Sequence, residues 1–100
     1  MKNITTVFAA IFLLSFTGLA QTASLSGTVS DSDGNSLPSA AVMVDGTTGA
    51  FADFNGNYKI EGLSFGKHTV EYSFIGYVKK SIKVNLKAGE NFQNARLQDD

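Results

Sequence analysis

One hundred residues, 43% hydrophobic and 17% charged, have an ordinary globular composition and leave room for a single domain. A formal net charge of −1 provides no electrostatic footprint for nucleic acid or for an anionic membrane surface. The absence of cysteine excludes a disulfide framework, a thiolate metal site and a lipid-modified N-terminal cysteine.

The chain opens with Lys2, followed by the apolar run Val7 to Phe16 (VFAAIFLLSF). Spanning a hydrocarbon core of about 30 Å takes about 20 apolar residues, so this run is too short for a transmembrane anchor and reads as the centre of a cleaved signal peptide. Gly18-Leu19-Ala20 meets the small-x-small rule for the cut, which assigns residues 1–20 to the signal and begins the mature chain at Gln21. Cleavage after Ala23 is the alternative. The six lysines and Arg96 of residues 21–100 face nine carboxylates, a balance of −2, and a chain of this length builds one core only.

After residue 23 the hydrophobic period is two. Leu25, Gly27 and Val29 alternate with Ser26, Thr28 and Ser30, the pattern of a strand with one buried and one wet face. The same alternation places Ala40, Val42 and Val44 inward, then Tyr58 and Ile60, then His68, Val70 and Tyr72, then Ile82, Val84 and Leu86. Asp31-Ser32-Asp33-Gly34-Asn35 and Asp53-Phe54-Asn55-Gly56-Asn57 carry turn chemistry and read as hairpin turns, with Gly34 and Gly56 at the left-handed positions. Tyr72 to Tyr77 is apolar on both parities near Gly76, which predicts a bulge, a switch between sheets or a surface patch. Lys80 shares the inward parity and is expected at a sheet edge or beyond the core. Short strands with frequent turns predict an all-β sandwich of about seven strands, with Val29, Val42, Val44, Ile60, Val70, Tyr72, Ile82 and Val84 in its core.

Chemistry is sparse. His68 is the only histidine, and no Ser, carboxylate or second His stands at a spacing that makes it a general base in a recognisable motif, so its expected role is structural: a buried ring bonding a backbone carbonyl. Asp31, Asp33 and Asn35 resemble the opening of a calcium loop, but an EF-hand needs glycine at its sixth position and Glu at its twelfth, where this chain has Ser36 and Val42. Solvated turns are the expectation, a weak calcium site among Asp31, Asp33 and Asp53 the alternative. Phe51, Phe54, Phe65 and Phe74 fall in or beside loops. Such aromatics serve as sugar-stacking platforms or protein hot spots, or they plug the ends of a sandwich, and a small core short of apolar material favours plugging. No phosphate loop, nucleophile elbow or carboxylate pair is present, so the sequence predicts no catalysis and no cofactor.

The string Gly27-x-Val29-x-Asp31-x-x-Gly34-x-x-Leu37-Pro38-x-Ala40-x-Val42-x-Val44-x-Gly46-Thr47, then Gly49 to Asp53, Gly56-x-Tyr58-x-Ile60, Gly66 and Ser73-Phe74-Ile75-Gly76-Tyr77, resembles the carboxypeptidase-regulatory-like domain. The resemblance covers residues 24 to about 98. It implies a transthyretin-like (prealbumin-like) seven-stranded Greek-key-type sandwich without catalytic groups, since the zinc ligands of the peptidases that carry this module belong to another domain. Ser39, Ala50 and Ala52 depart from the family pattern, and Phe51 between the two alanines is a candidate for something particular to this chain.

In Bacteroidota-like bacteria the module commonly follows a signal peptide at the N-terminus of SusC-type TonB-dependent outer-membrane receptors. The resemblance therefore implies a non-catalytic periplasmic accessory domain of a nutrient (glycan or siderophore) receptor, present here as an excerpt, a truncated product or a stand-alone module. Its expected partner is a protein, either the receptor's plug and barrel or the TonB machinery, engaged through Phe51, Phe54, Phe65 and Phe74. The alternatives are an exported carbohydrate-binding module using Phe51, Phe54 and Phe65, and a spacer domain of a secreted peptidase or adhesin.

Overall fold

The structure is a computed structural model that describes residues 22–100. The signal peptide reading falls on residues outside that range. Eight strands follow one another: β1 (Ala23–Asp31), β2 (Ala41–Val44), β3 (Thr48–Phe51), β4 (Asn57–Leu63), β5 (Gly66–Ser73), β6 (Lys80–Leu86), β7 (Gly89–Phe92) and β8 (Ala95–Leu97). Among the described residues no helix is long and apolar enough to cross a membrane.

They form two four-stranded sheets. One is ordered β3-β2-β5-β6, all antiparallel. The other is built around β1, which pairs antiparallel with β4 on one side and parallel with β7 and then β8 on the other. The inward faces meet as the alternation predicts: Val29, Val42, Val44, Ile60, Val70 and Tyr72 are all buried. Each such side chain withdrawn from water stabilises the fold by about 1.5–3 kcal/mol. Ile82 and Val84 are only partly buried, packed against the core from β6. They keep the inward parity, but β6 is an edge strand with neighbours on one side only.

The eighth strand arises from one position. Between β7 and β8, which pair with the same side of β1, the chain bulges inward at Gln93, and a Cβ on Gly27 would lie 1.9 Å from the Gln93 carbonyl oxygen. Glycine is required there by close approach rather than by φ. Thr28 N–H donates to Asn94 Oδ1 at 2.9 Å, and Gln93 N–H donates to the Ser26 carbonyl at 2.8 Å, which hold the bulge on β1. Under the same bulge, Tyr58 Oη donates to the Gln93 carbonyl at 2.5 Å and accepts from Tyr72 Oη at 2.8 Å. The two rings meet edge to face, 5.8 Å between centroids, so one polar chain ties both sheets to the C-terminal segment through the core. Burial pushes both phenols above their ordinary range.

The two Asp-rich segments form the expected turns, the first closing an antiparallel bridge between Ser30 and Ser36, but neither joins neighbouring strands of one sheet. Asp31 Oδ1 accepts from the backbone N–H of Asp33 and Asn35, and Asp53 Oδ1 accepts from Asn55 and Asn57. Each turn then carries the chain from one sheet to the other, β1 to β2 and β3 to β4. Gly34, Gly56 and Gly76 adopt φ of 88°, 81° and 87°.

Candidate functional site

The register of β1 defines two ends of the sandwich. The proximal end, where β1 begins, gathers Thr22, the β2–β3 turn, the β4–β5 turn and the start of β7. The distal end, where β1 finishes, gathers the Asp31 and Asp53 turns, the β5–β6 connection and residues 98–100, which pair back onto that connection through Val78 N–H to the Gln98 carbonyl and Asp100 N–H to the Gly76 carbonyl.

At the proximal end, folding brings together three polar side chains that sequence spacing hid. Asp45 has a positive φ of 52° in the β2–β3 turn, a conformation that Asp tolerates better than most residues. Its Oδ1 accepts from Thr69 N–H at 2.8 Å, and its Oδ2 accepts from His68 Nδ1 at 2.5 Å. On the other side of the ring, Nε2 lies 2.8 Å from the Ser64 carbonyl oxygen and 3.3 Å from Ser64 Oγ. The His68 side chain is 9% exposed.

This arrangement has the outline of a Ser-His-Asp relay but the wrong protonation. A carbonyl at 2.8 Å favours a proton on Nε2, and the carboxylate favours one on Nδ1, so the site favours the imidazolium, which has no lone pair to accept from a serine. The Asp45 carboxylate and the Ser64 carbonyl accordingly hold the His68 pKa above 6.5, while the Thr69 N–H and then His68 hold Asp45 below 3.8. The cluster is a clamp between two turns, and no motif in the sequence announces it.

The distal end is apolar and acidic. Phe54 is 89% exposed at the tip of the Asp53 turn, Ile75 is 95% exposed in the β5–β6 connection, and Phe51 is 75% exposed where β3 runs toward this end. Phe74 behaves differently, packed partly buried against the core with its ring 5.7 Å from that of Tyr77. Burial, then the charges of Asp99, Asp31 and Asp33, raises the Tyr77 pKa. Phe65 lies at the proximal end, 45% exposed. End-plugging therefore describes Phe74 alone, since Phe51, Phe54 and Phe65 remain exposed. Among the described residues no group of three or more His, Cys, Asp or Glu side chains is placed to hold a metal ion, and the calcium alternative at Asp31, Asp33 and Asp53 is not assembled.

The model of the CarboxypepD_reg-like domain family matches residues 25–100. The chain belongs to that family. It is 41% identical over 61 residues to TonB-dependent receptor P26 of Formosa agariphila, covering 60% of this chain and 6% of that protein. It is 33% identical over 100 residues to TonB-dependent receptor SusC of Bacteroides thetaiotaomicron, covering 99% of this chain and 9% of the receptor. The chain thus spans less than a tenth of the length of these relatives. Among solved structures the sandwich is similar to the streptococcal ancillary pilin, with a TM-score of 0.60 at 12% identity over 81% of this chain and 33% of the pilin, a likeness of fold alone.

Proposed function

We propose that this CarboxypepD_reg-like domain is a non-catalytic, periplasmic accessory domain of a TonB-dependent outer-membrane nutrient receptor, acting by protein contact. The observation that carries the reading is the match along nearly the whole chain to less than a tenth of a TonB-dependent receptor. Residues 22 and 100 lie at opposite ends of the sandwich, which suits a module inserted in line before a larger receptor. The distal end, where Phe54 and Ile75 stand in solvent and the C-terminal residues bond the β5–β6 connection, is then the face turned toward the rest of the receptor. The non-catalytic part of the reading rests on His68, whose two ring nitrogens are both engaged as donors. A carbohydrate platform made of Phe51, Phe54 and Phe65 fits the structure less well, since Phe65 lies at the end opposite Phe54.

Deleting residues 24–98 from the receptor that carries them should leave the barrel inserted in the outer membrane and reduce energy-dependent uptake. Uptake equal to that of the parent receptor would overturn the proposal.

A further inference from the structure

The edges of the two sheets are not equally protected. β4 carries Lys59 and Glu61, β6 carries Lys80 and Lys83, β7 carries Glu90 and β8 carries Arg96. Charges of this kind on an edge discourage pairing with another chain. The remaining edge strand, β3, reads Thr48-Gly49-Ala50-Phe51 and carries none.

The direction of its backbone groups follows from its partner. Ala52 N–H donates to the Ala40 carbonyl, and Ser39 N–H donates to the Ala52 carbonyl, so Ala52 points both groups at the β2 side. Alternation along an antiparallel strand turns Ala50 the same way and turns Gly49 and Phe51 the opposite way, toward the free edge. On β2, Asp45 N–H donates to the Thr69 carbonyl of β5, which fixes the same parity independently. Gly49 and Phe51 thus present N–H and C=O groups with no strand beyond them among the described residues.

Their side-chain positions complement each other. Gly49 is directly opposite Met43 and Phe51 opposite Ala41, all on the outer face, because Val42 and Val44 face the core. The Met43 side chain leans over Gly49, its Sδ lying 2.9 Å from where a Cβ would stand, and it remains 39% exposed. An antiparallel copy of β3 centred on Ala50 sets each Phe51 across from the other copy's Gly49. The hydrogen-bonding groups face each other in that register, and each ring lies over the bare glycine against a thioether.

We propose that β3 pairs with β3 of a second copy of this chain in that register, joining two four-stranded sheets into one continuous sheet across a twofold axis. Strands this short bury far less than the roughly 1,200–2,000 Å² of stable complexes, so the association is weak and concentration-dependent. This inference does not depend on the receptor assignment.

The test is sedimentation velocity on the purified protein across the micromolar to millimolar range, with amide exchange followed residue by residue. The expected result is a weight-average mass climbing toward the dimer, with protection of the Gly49 and Phe51 amides rising in step. Phe51→Lys should weaken self-association by about tenfold or more, while Phe54→Lys, equally solvent-exposed but off the edge, should leave it unchanged. Both variants should keep the parent's melting temperature. A monomer throughout, or a dimer broken by Phe54→Lys with no protection at Gly49, would overturn the proposal.

Discussion

The two ends of the sandwich use polar residues in opposite ways. At the proximal end Asp45, His68 and Ser64 bond one another across turns that are 19 or more residues apart, and the histidine ring is almost withdrawn from water. At the distal end the carboxylates of Asp31 and Asp53 bond only their own turns, and the exposed groups beside them are Phe54 and Ile75. One end is closed upon itself, and the other leaves apolar surface uncovered in a domain that has little to spare. On the proposed function, stability resides at the first end and contact at the second: substitutions at the first end should change folding, and those at the second should change only what the domain touches.

The largest effect should come from the core just inside the proximal clamp. Val44→Asp places an unpaired charge in a fully enclosed site, costing several kcal/mol against a total stability of about 5–15 kcal/mol, and circular dichroism should find no cooperative melt at physiological temperature. Next is Tyr58→Phe, which strips the Gln93 carbonyl and the Tyr72 hydroxyl of a partner. Denaturant titration should show a loss of about 1–3 kcal/mol, and an unchanged midpoint would mean that the polar chain does not tie the sheets together.

The clamp itself should appear as pH dependence. The His68 pKa is raised on folding, so its contribution is complete below 6.5 and is lost as pH rises through the folded value; the Asp45 pKa is lowered, so its contribution is complete above 3.8 and is lost as pH falls through the folded value. The clamp is therefore at full strength between those two ordinary values. His68→Gln should flatten the stability profile on the alkaline side of that window, and a variant whose profile parallels the parent's there would dissolve the contrast between the ends. Smallest of all, Phe54→Ser and Ile75→Ser should shift stability by no more than about 0.5 kcal/mol, since both side chains stand in water already.

Much of this fold is legible in the chain because alternation is a local signal. Leu25, Val42, Val70 and Tyr72 declare their inward faces by parity, and the Asp31 and Asp53 segments declare their turns by side chains that bond amides two and four residues on. Which strands those turns join is not local, and both proved to be crossings between sheets. The bulge between β7 and β8 was also invisible, although glycine at an inward strand position, Gly27, is the mark a close backbone approach leaves. The Asp45–His68 contact spans 23 residues and had no motif to announce it. The loop phenylalanines were legible as a set but not as a place, because exposure depends on what else fills each end.

On the proposed function, the domain acts through its distal surface within a receptor. The most direct measurement is energy-dependent uptake by the receptor carrying Phe54→Ser with Ile75→Ser, set against deletion of residues 24–98 and the intact receptor, with receptor abundance in the outer membrane matched. The account predicts that the double variant loses a large share of the uptake that the deletion loses. Reduced uptake on deletion with full uptake in the double variant would contradict the assignment of the surface, and full uptake in both would contradict the account as a whole.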